Sequence, residues 1–308
     1  MGKLNSWLIK DTVGVTLFDK CILMAFKLLY LFLRLTLRGV LGQRRRDNLY
    51  TQKGMSFNIF LYNIIKKVGL YEYMLLRIKV PKYNYMFFCR ANNEDIIIMK
   101  GHEKEILPHF KPNYGDFVID VGSHIGHYTL IAAKRVGPKG KVIAIEADPK
   151  NFEILNKNIE LNKLNDNVVT INYAASSKEE KIKLFTPEKD AGQTIFNTII
   201  STRVTHNEKF IEVNANTLDS LLRENGISVS KVNWIKIDVE GAELEVLKGA
   251  HHILSKSKDI TLLIEIHSSD LYQSIIKFLD IYNFKIEFEK GGGEWRHIIT
   301  RKYNQFKK

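Results

Sequence analysis

From about residue 115 onward, short apolar runs alternate with amphipathic stretches along the chain. Continuous apolar runs predict strands that are buried on both faces, and stretches with apolar residues every three to four positions predict helices. Asp148 followed by Pro149 marks a helix start, because Asp caps free backbone N–H groups and Pro fits the first helical position. The first half of this region is predicted to form strands 117–121, 141–146 and 168–173 and helices 126–136 and 149–161.

The same alternation returns near the end of the chain after an interruption over residues 176–233. The interruption holds predicted strands near 181–185 and 210–214 and a capped helix from Thr217, and it could serve substrate contacts or merely connect the two halves. The later elements are predicted as strand 234–238, helix 242–254, strand 260–266, helix 269–282 and a closing hairpin of 284–288 with 295–300. Strands and helices in this order predict parallel βαβ units, and hence an α/β domain over residues 113–308.

The most hydrophobic stretch, residues 17–41, carries four basic side chains that lie within roughly 40° on one side of a helix. These are Lys20, Lys27, Arg34 and Arg38. A narrow basic stripe on a wide apolar face favours a helix in a membrane interface, with the basic residues of 17–46 contacting anionic headgroups. There are two alternatives for this helix. It could pack against the rest of the protein or a partner subunit, or it could span the membrane.

The charge is concentrated in this N-terminal segment. The chain has 308 residues and a formal net charge of +12, and residues 1–46 hold nine basic against two acidic groups. Two cysteines far apart exclude a disulfide framework and a cysteine-rich zinc site. We expect a basic helical segment over 1–50 and a lead-in over 51–112 with helix 57–68 and strands 85–90 and 95–100. We also expect a cytoplasmic protein, with the inner face of the membrane as the alternative location.

A glycine turn follows the first predicted strand of the α/β domain, in the order Asp120, Gly122, Gly126. The glycines permit a tight turn and the close approach of a ligand. The dinucleotide fingerprint G-x-G-x-x-G is absent here, and a carboxylate at Asp120 would repel a phosphate but suits a ligand with an ammonium group.

Glu146 ends the second predicted strand, twenty residues after Gly126. A carboxylate at that place can accept hydrogen bonds from both ribose hydroxyls. An ammonium partner with a ribose partner and no phosphate site describes an aminoacyl nucleoside, so we predict S-adenosyl-L-methionine as the cofactor. Ser123 and Ala147 adjoin these positions and are predicted as further cofactor contacts.

Carboxylates and a histidine end the later strands, at Asp238, Glu240 and His267. Ligands of open α/β sheets bind outside the carboxyl ends of the strands, so these residues are predicted to face the methyl group of the cofactor. His267 or Asp238 would take a proton from a substrate hydroxyl while Glu240 orients it. The same three could bind a divalent metal, but ligands inferred from strand ends are weak evidence, and we expect no metal.

Six segments together resemble the FkbM-type S-adenosylmethionine-dependent methyltransferases over roughly residues 95–300. The segments are FVIDVGSHIGHYTL at 117–130, the run 141–149, NKNIELN at 156–162, Thr217–Asp219, IKIDVEGAELEVLKGA at 235–250 and LIEIH at 263–267. The resemblance implies a Rossmann-like seven-stranded methyltransferase sheet whose last strand is antiparallel. It also implies Asp120, Gly122, Gly126 and Glu146 at the cofactor, and Asp238, Glu240 and His267 at the substrate end.

The resemblance implies O-methylation of a hydroxyl on a sugar, a glycolipid or another small metabolite. Two alternatives stay open at this point. The basic composition permits an RNA methyltransferase, but no aromatic-studded basic sheet is predicted, and we do not expect nucleic acid as a partner. A non-catalytic cofactor-binding module of a membrane-associated complex is the other.

Overall fold

The computed structural model describes residues 8–12, 74–80, 85–90, 103, 105–186, 209–293 and 295–303. The chain divides into two units, Met1–Val80 with Phe87–Lys100, and Pro81–Met86 with Gly101–Lys308. Strands β1 (Leu8–Thr12) and β2 (Met74–Val80) pair antiparallel and share a three-stranded sheet with β3 (Tyr85–Arg90), which confirms the strand predicted at 85–90.

Three of the predicted elements lie outside the described residues: the helices 17–41 and 57–68 and the strand 95–100. Among the residues that are described, no helix is long and apolar enough to cross a membrane.

The second unit holds the alternating strands and helices that the sequence pattern predicts. Its first half contains β4 (Phe117–Val121), α1 (His127–Val136), β5 (Lys141–Ile145), α2 (Pro149–Leu161), β6 (Val168–Ile171), β7 (Ala174–Ala175), β8 (Glu180–Thr186), β9 (Lys209–Asn216) and α3 (Leu218–Glu224). Its second half contains β10 (Val232–Ile237), α4 (Glu243–Lys248), α5 (His251–Lys256), β11 (Thr261–Ile266), α6 (Ser269–Asp280), β12 (Phe284–Gly292) and β13 (Trp295–Lys302). The Asp148 carboxylate accepts from the backbone N–H groups of Lys150 and Asn151, which confirms the predicted cap of α2.

Seven strands form one sheet in the order β12-β13-β11-β10-β4-β5-β6. The strands from β11 to β6 pair parallel, and β13 runs antiparallel to both of its neighbours, which confirms the predicted sheet with an antiparallel last strand. Ile119, Ile143, Ile235 and Ile264 are fully buried, as expected for strands covered on both faces. The carboxyl ends of β5, β4, β10 and β11 and the beginning of β13 therefore meet at one edge.

The interruption between the two halves of the large sheet is a second, three-stranded sheet in the order β7-β9-β8. It contains both of the strands that were predicted there, and its small core consists of Ala174, Leu184, Val213 and Ala215.

The single helix predicted over 242–254 is wrong, because the structure has two helices, α4 and α5, that are separated at Gly249 and Ala250. The backbone N–H groups of His252 and Ile253 donate to the carboxylate of Asp219 at 2.7 and 3.0 Å, so Asp219 serves as a distant cap for α5. A Cβ on Gly249 would lie 2.0 Å from the carbonyl oxygen of Ser176, so only glycine permits this approach. The cap at Asp219 and the contact of Gly249 with Ser176 both join residues that are distant in sequence, so the local pattern does not reveal the break between α4 and α5.

Candidate functional site

The glycine turn after β4 is fixed by the ends of the neighbouring strands. Gly122 has a φ of 72°, and a Cβ there would lie 1.8 Å from the carbonyl oxygen of Asp238. The backbone N–H groups of Gly122 and Ser123 both donate to the carbonyl of Ile145 at 3.0 Å. Because Gly122 contacts Asp238, the residues predicted at the cofactor lie next to the residues predicted at the substrate.

Asp120 is fully buried beneath this turn and faces an ammonium group of the protein itself. Its Oδ2 accepts from Thr129 Oγ1 at 2.6 Å, and its Oδ1 lies 3.7 Å from Lys236 Nζ. Among the described residues this Oδ1 accepts no hydrogen bond. Burial raises the pKa of Asp120, and the charge of Lys236 opposes that rise.

Lys236 is a member of the site that the sequence argument missed. Its Nζ donates to the carbonyl of Gly122 and to Asp238 Oδ2, both at 3.1 Å, and lies 5.2 Å from the centre of the Tyr128 ring. Burial lowers its pKa, but the charges of Asp238 and Asp120 outweigh burial and raise it. A lone cation in the apolar run of β10 was the available signal, since buried lysines are almost always paired.

Glu146 lies at the end of β5 with both carboxylate oxygens turned to the loops around it. Its Oε2 accepts from the backbone N–H of His124 at 2.7 Å, and its Oε1 accepts from that of Asp148 at 2.9 Å. Burial raises the pKa of Glu146 to about 7, against the opposing effect of these N–H donors. Ser123 is also buried and donates to the carbonyl of Asp120 at 2.7 Å, whereas Ala147 is half-buried.

The residues of this turn fit S-adenosyl-L-methionine. Carboxylates end both adjacent strands, at Asp120 and Glu146, and the intervening turn 122–126 contains no lysine or arginine to neutralise a phosphate. The Asp120 oxygen without a hydrogen bond keeps an acceptor at the base of the turn. These hydrogen-bond acceptors suit an ammonium group and ribose hydroxyls and do not suit a pyrophosphate.

Asp238, Glu240 and His267 are brought together in the structure. His267 Nε2 lies 3.3 Å from Glu240 Oε2 and 3.9 Å from Asp238 Oδ1. On its other side, His267 Nδ1 lies 2.7 Å from Oε1 of Glu243, a fully buried carboxylate that also accepts from the backbone N–H of Gly241. Glu243 therefore fixes the orientation of the ring, as a carboxylate behind a functional histidine does.

The protonation of this group depends on burial and charge. Burial lowers the pKa of His267, but the hydrogen bond to Glu243 and the charges of Glu240 and Asp238 prevail and raise it to about 9. Burial raises the pKa of Glu240 to about 8, against the imidazolium charge of His267. The group therefore retains protons into the alkaline range.

A second group of ionisable side chains lies next to His267. It consists of Glu103 from the segment before β4, Glu265 from β11 and His297 from β13. Glu265 Oε1 lies 3.6 Å from His267 Nε2, and its Oε2 lies 3.1 Å from Nε2 of the buried His297. His297 Nε2 is also 3.3 Å from Glu103 Oε1, and Glu103 accepts from the hydroxyl of Tyr128. No pattern within a short window of sequence indicated that Glu103 or His297 belongs to this edge.

Two clusters, each of two carboxylates and one histidine, are compact enough to bind a metal ion. The ligand atoms of Asp238, Glu240 and His267 lie within 4.8 Å of one another, and so do those of Glu103, Glu265 and His297. Each histidine can itself supply the positive charge as an imidazolium ion, since carboxylates raise the pKa of both to about 9 despite burial. The expectation that no metal is required remains a prediction.

Comparison with known proteins places the glycine turn and the group of Asp238, Glu240 and His267 within a recognised domain. Residues 120–286 match the family described as "Methyltransferase FkbM domain". The hexuronic acid methyltransferase AglP of Haloferax volcanii is 30% identical over 61% of this chain and 72% of its own length. Methyltransferase sdnD of Sordaria araneosa is 30% identical over 43% of this chain, which spans 60% of that protein. Aeropyrum pernix fibrillarin, crystallised with natively bound S-adenosyl-L-methionine, overlaps 74% of this chain and 89% of its own chain, with 15% identity and a TM-score of 0.42.

Proposed function

We propose, because the chain belongs to the FkbM methyltransferase family, that it methylates a hydroxyl oxygen of a sugar, a glycolipid or another small metabolite. The protein is a methyltransferase whose cofactor is S-adenosyl-L-methionine. The observation that carries the proposal is the histidine and carboxylate group beside the glycine turn, where Gly122 touches the backbone of Asp238. The relative AglP, named for a hexuronic acid, supports a sugar acceptor.

The cofactor supplies a methyl group on a positively charged sulfur, and the protein must align the acceptor oxygen and remove its proton. We assign proton removal to His267 Nε2, because Glu243 holds Nδ1 and directs Nε2 towards Glu240 and Asp238. Only the neutral ring can accept the proton, and the raised pKa makes that form the major one only above about pH 9. Lys236 donates a hydrogen bond to Asp238 Oδ2. The other carboxylate oxygen, Oδ1, is therefore assigned to accept a hydrogen bond from the hydroxyl that is methylated. Glu240, at 3.3 Å from His267 Nε2, orients the same hydroxyl.

Asp120, Gly122, Ser123, Gly126, Glu146 and Ala147 are proposed to hold the cofactor. Asp120 and Glu146 supply negative charge at the ends of β4 and β5, and the two glycines keep the turn narrow. In the structure Glu146 also binds two backbone N–H groups, so its ribose contact would use the remaining acceptor capacity of its oxygens.

The experiment is a screen of radiolabelled methyl transfer to free sugars, lipid-linked glycans, hydroxylated metabolites and RNA, followed by the variant His267→Gln on the acceptor found. We expect transfer to a sugar or metabolite hydroxyl, and a loss of about 10²–10⁴-fold without the base. His252→Gln, at an exposed histidine of α5, is the control. Exclusive transfer to RNA would refute the acceptor class, and near-normal activity of His267→Gln would refute the proposed base.

A further inference from the structure

Glu265 is a carboxylate beside His267 to which the proposed function gives no role. It lies on β11, two residues before His267, and its Oε1 is 3.6 Å from His267 Nε2. Its side chain is only 13% exposed, so water screens its charge weakly. Both of its oxygens are engaged, since Oε1 accepts from the indole N–H of Trp295 and Oε2 lies 3.1 Å from His297 Nε2. Glu265 is therefore held within the protein and is not a free acceptor for a ligand.

His297 fixes Glu265 from the neighbouring strand. The two residues are direct partners in the antiparallel pair of β11 and β13, so their side chains lie on the same face of the sheet. The buried His297 is itself held, because its Nε2 is also 3.3 Å from Glu103 Oε1 and Glu103 accepts from the hydroxyl of Tyr128. The imidazolium of His297 thus gives Glu265 a counter-ion whose orientation is set by the segment before β4 and by α1.

This counter-ion matters because several carboxylates converge on one ring. Those that face His267 are Asp238 and Glu240 from the loop after β10, Glu243 from α4 and Glu265 from β11. Like charges at short range favour retention of a proton by one of the carboxylates. Lys236 opposes this at Asp238, to which it donates, and His297 opposes it at Glu265.

We infer that Glu265 is a positioning residue for the proposed base His267, and that His297 holds it in this role. When the acceptor hydroxyl loses its proton, the electron pair of the O–H bond stays on the oxygen and the proton binds His267 Nε2. Glu265 Oε1 then lies beside the new N–H, while Glu243 faces Nδ1 on the other side of the ring. The two carboxylates fix the ring and favour the charged form that the reaction produces. The kinetic part of this inference rests on the proposed function.

The contact can be tested without an acceptor, by NMR titration of the full chain labelled with ¹³C-histidine. Glu265→Gln removes the charge but keeps the size of the side chain and an oxygen for the N–H of Trp295. We expect His267 to titrate about 1 pH unit below its wild-type value, because the ring loses an opposite charge. Glu289→Gln is the matched control, since Glu289 is an exposed carboxylate of β12 that pairs with Arg296, and it should leave the titration of His267 unchanged.

Kinetics on the acceptor found by the methyl-transfer screen test the positioning role. At a pH above the His267 titration, we expect Glu265→Gln to lower kcat by about 10–100-fold with KM nearly unchanged. In the His267→Gln background the same change should cause no further loss, because a residue that acts through His267 has nothing left to position. A structural defect would instead lower activity in both backgrounds.

Calorimetry with S-adenosylhomocysteine would show that each variant is folded. If Glu265→Gln does not bind it, Glu265→Asp decides by the same criteria, since it keeps the charge for His297 but withdraws it from Nε2 by one methylene. An unmoved His267 titration, a normal kcat, or a full loss in the His267→Gln background overturns the inference. Near-normal activity of His267→Gln would instead refute the proposed base, and the NMR titration would still show whether Glu265 acts on the ring.

Discussion

Replacing Glu243 with glutamine removes the carboxylate charge nearest to the His267 ring while preserving the size of the side chain. Glu243 Oε1 lies 2.7 Å from His267 Nδ1 and the side chain is fully buried, so water screens this pair weakly. The rise of the His267 pKa from 6.5 to about 9 corresponds to about 3 kcal/mol in favour of the imidazolium form. The amide oxygen of glutamine can still accept from the Gly241 N–H.

A neighbouring charge at this range moves a pKa by about 1 to 3. We therefore expect His267 to titrate between about pH 6 and 8 in Glu243→Gln instead of near 9. A raised folded-state pKa stabilises the fold fully below about pH 6.5, and this contribution is lost as the pH rises through about 9. The wild-type protein should therefore exceed the variant in unfolding free energy most clearly in acid, and the difference should fade above pH 9.

The assay is a pH titration of ¹³C-labelled histidine by NMR, in which the His267 signal is assigned by its absence from His267→Gln. Glu245→Gln is the control, since Glu245 lies on the same helix, α4, and pairs with Lys248 at the surface. Urea unfolding of each variant at pH 6 and pH 9 measures the stability. An unchanged His267 titration in Glu243→Gln, or a wild-type value near 6.5, would refute the electrostatic reasoning.

Three other perturbations test separate parts of the structure. Lys236→Met would leave Asp120 and Asp238 without their shared cation, and we expect a loss of about 3–5 kcal/mol in urea unfolding, whereas a loss below about 1 would contradict the pairing. Dialysis against a chelator should leave methyl transfer unchanged, and recovery of a lost activity by Mg²⁺ or Mn²⁺ would disprove the prediction that no metal is needed. If residues 17–46 contact anionic lipid, the full chain should pellet with anionic liposomes at low salt, and a protein that stays in the supernatant would end the membrane hypothesis.

Much of the fold could be predicted from local sequence. The buried runs of β4 and β5 and the cap of α2 at Asp148 were found because their signals, continuous apolarity and a capping residue before proline, act over a few neighbouring residues. Asp238, Glu240 and His267 were predicted at one edge because parallel strands present their carboxyl ends on the same side. The sequence alone thus determined the type of sheet and placed Asp238, Glu240 and His267 at the carboxyl ends of its strands.

The tertiary structure decided which groups those residues face. Lys236 lies between Asp120 and Asp238, and His297 from the last strand meets Glu103 from before the first strand of the sheet. Asp219 divides a helix that the local pattern predicts as continuous. Periodicity and capping signals extend over one or two turns of chain, whereas the contacts of Lys236 with Asp120, of His297 with Glu103 and of Asp219 with the start of α5 join residues that are distant in sequence. The hydrogen bonds and ion pairs of Lys236, His297 and Asp219 depend on this packing, and the sequence by itself does not reveal them.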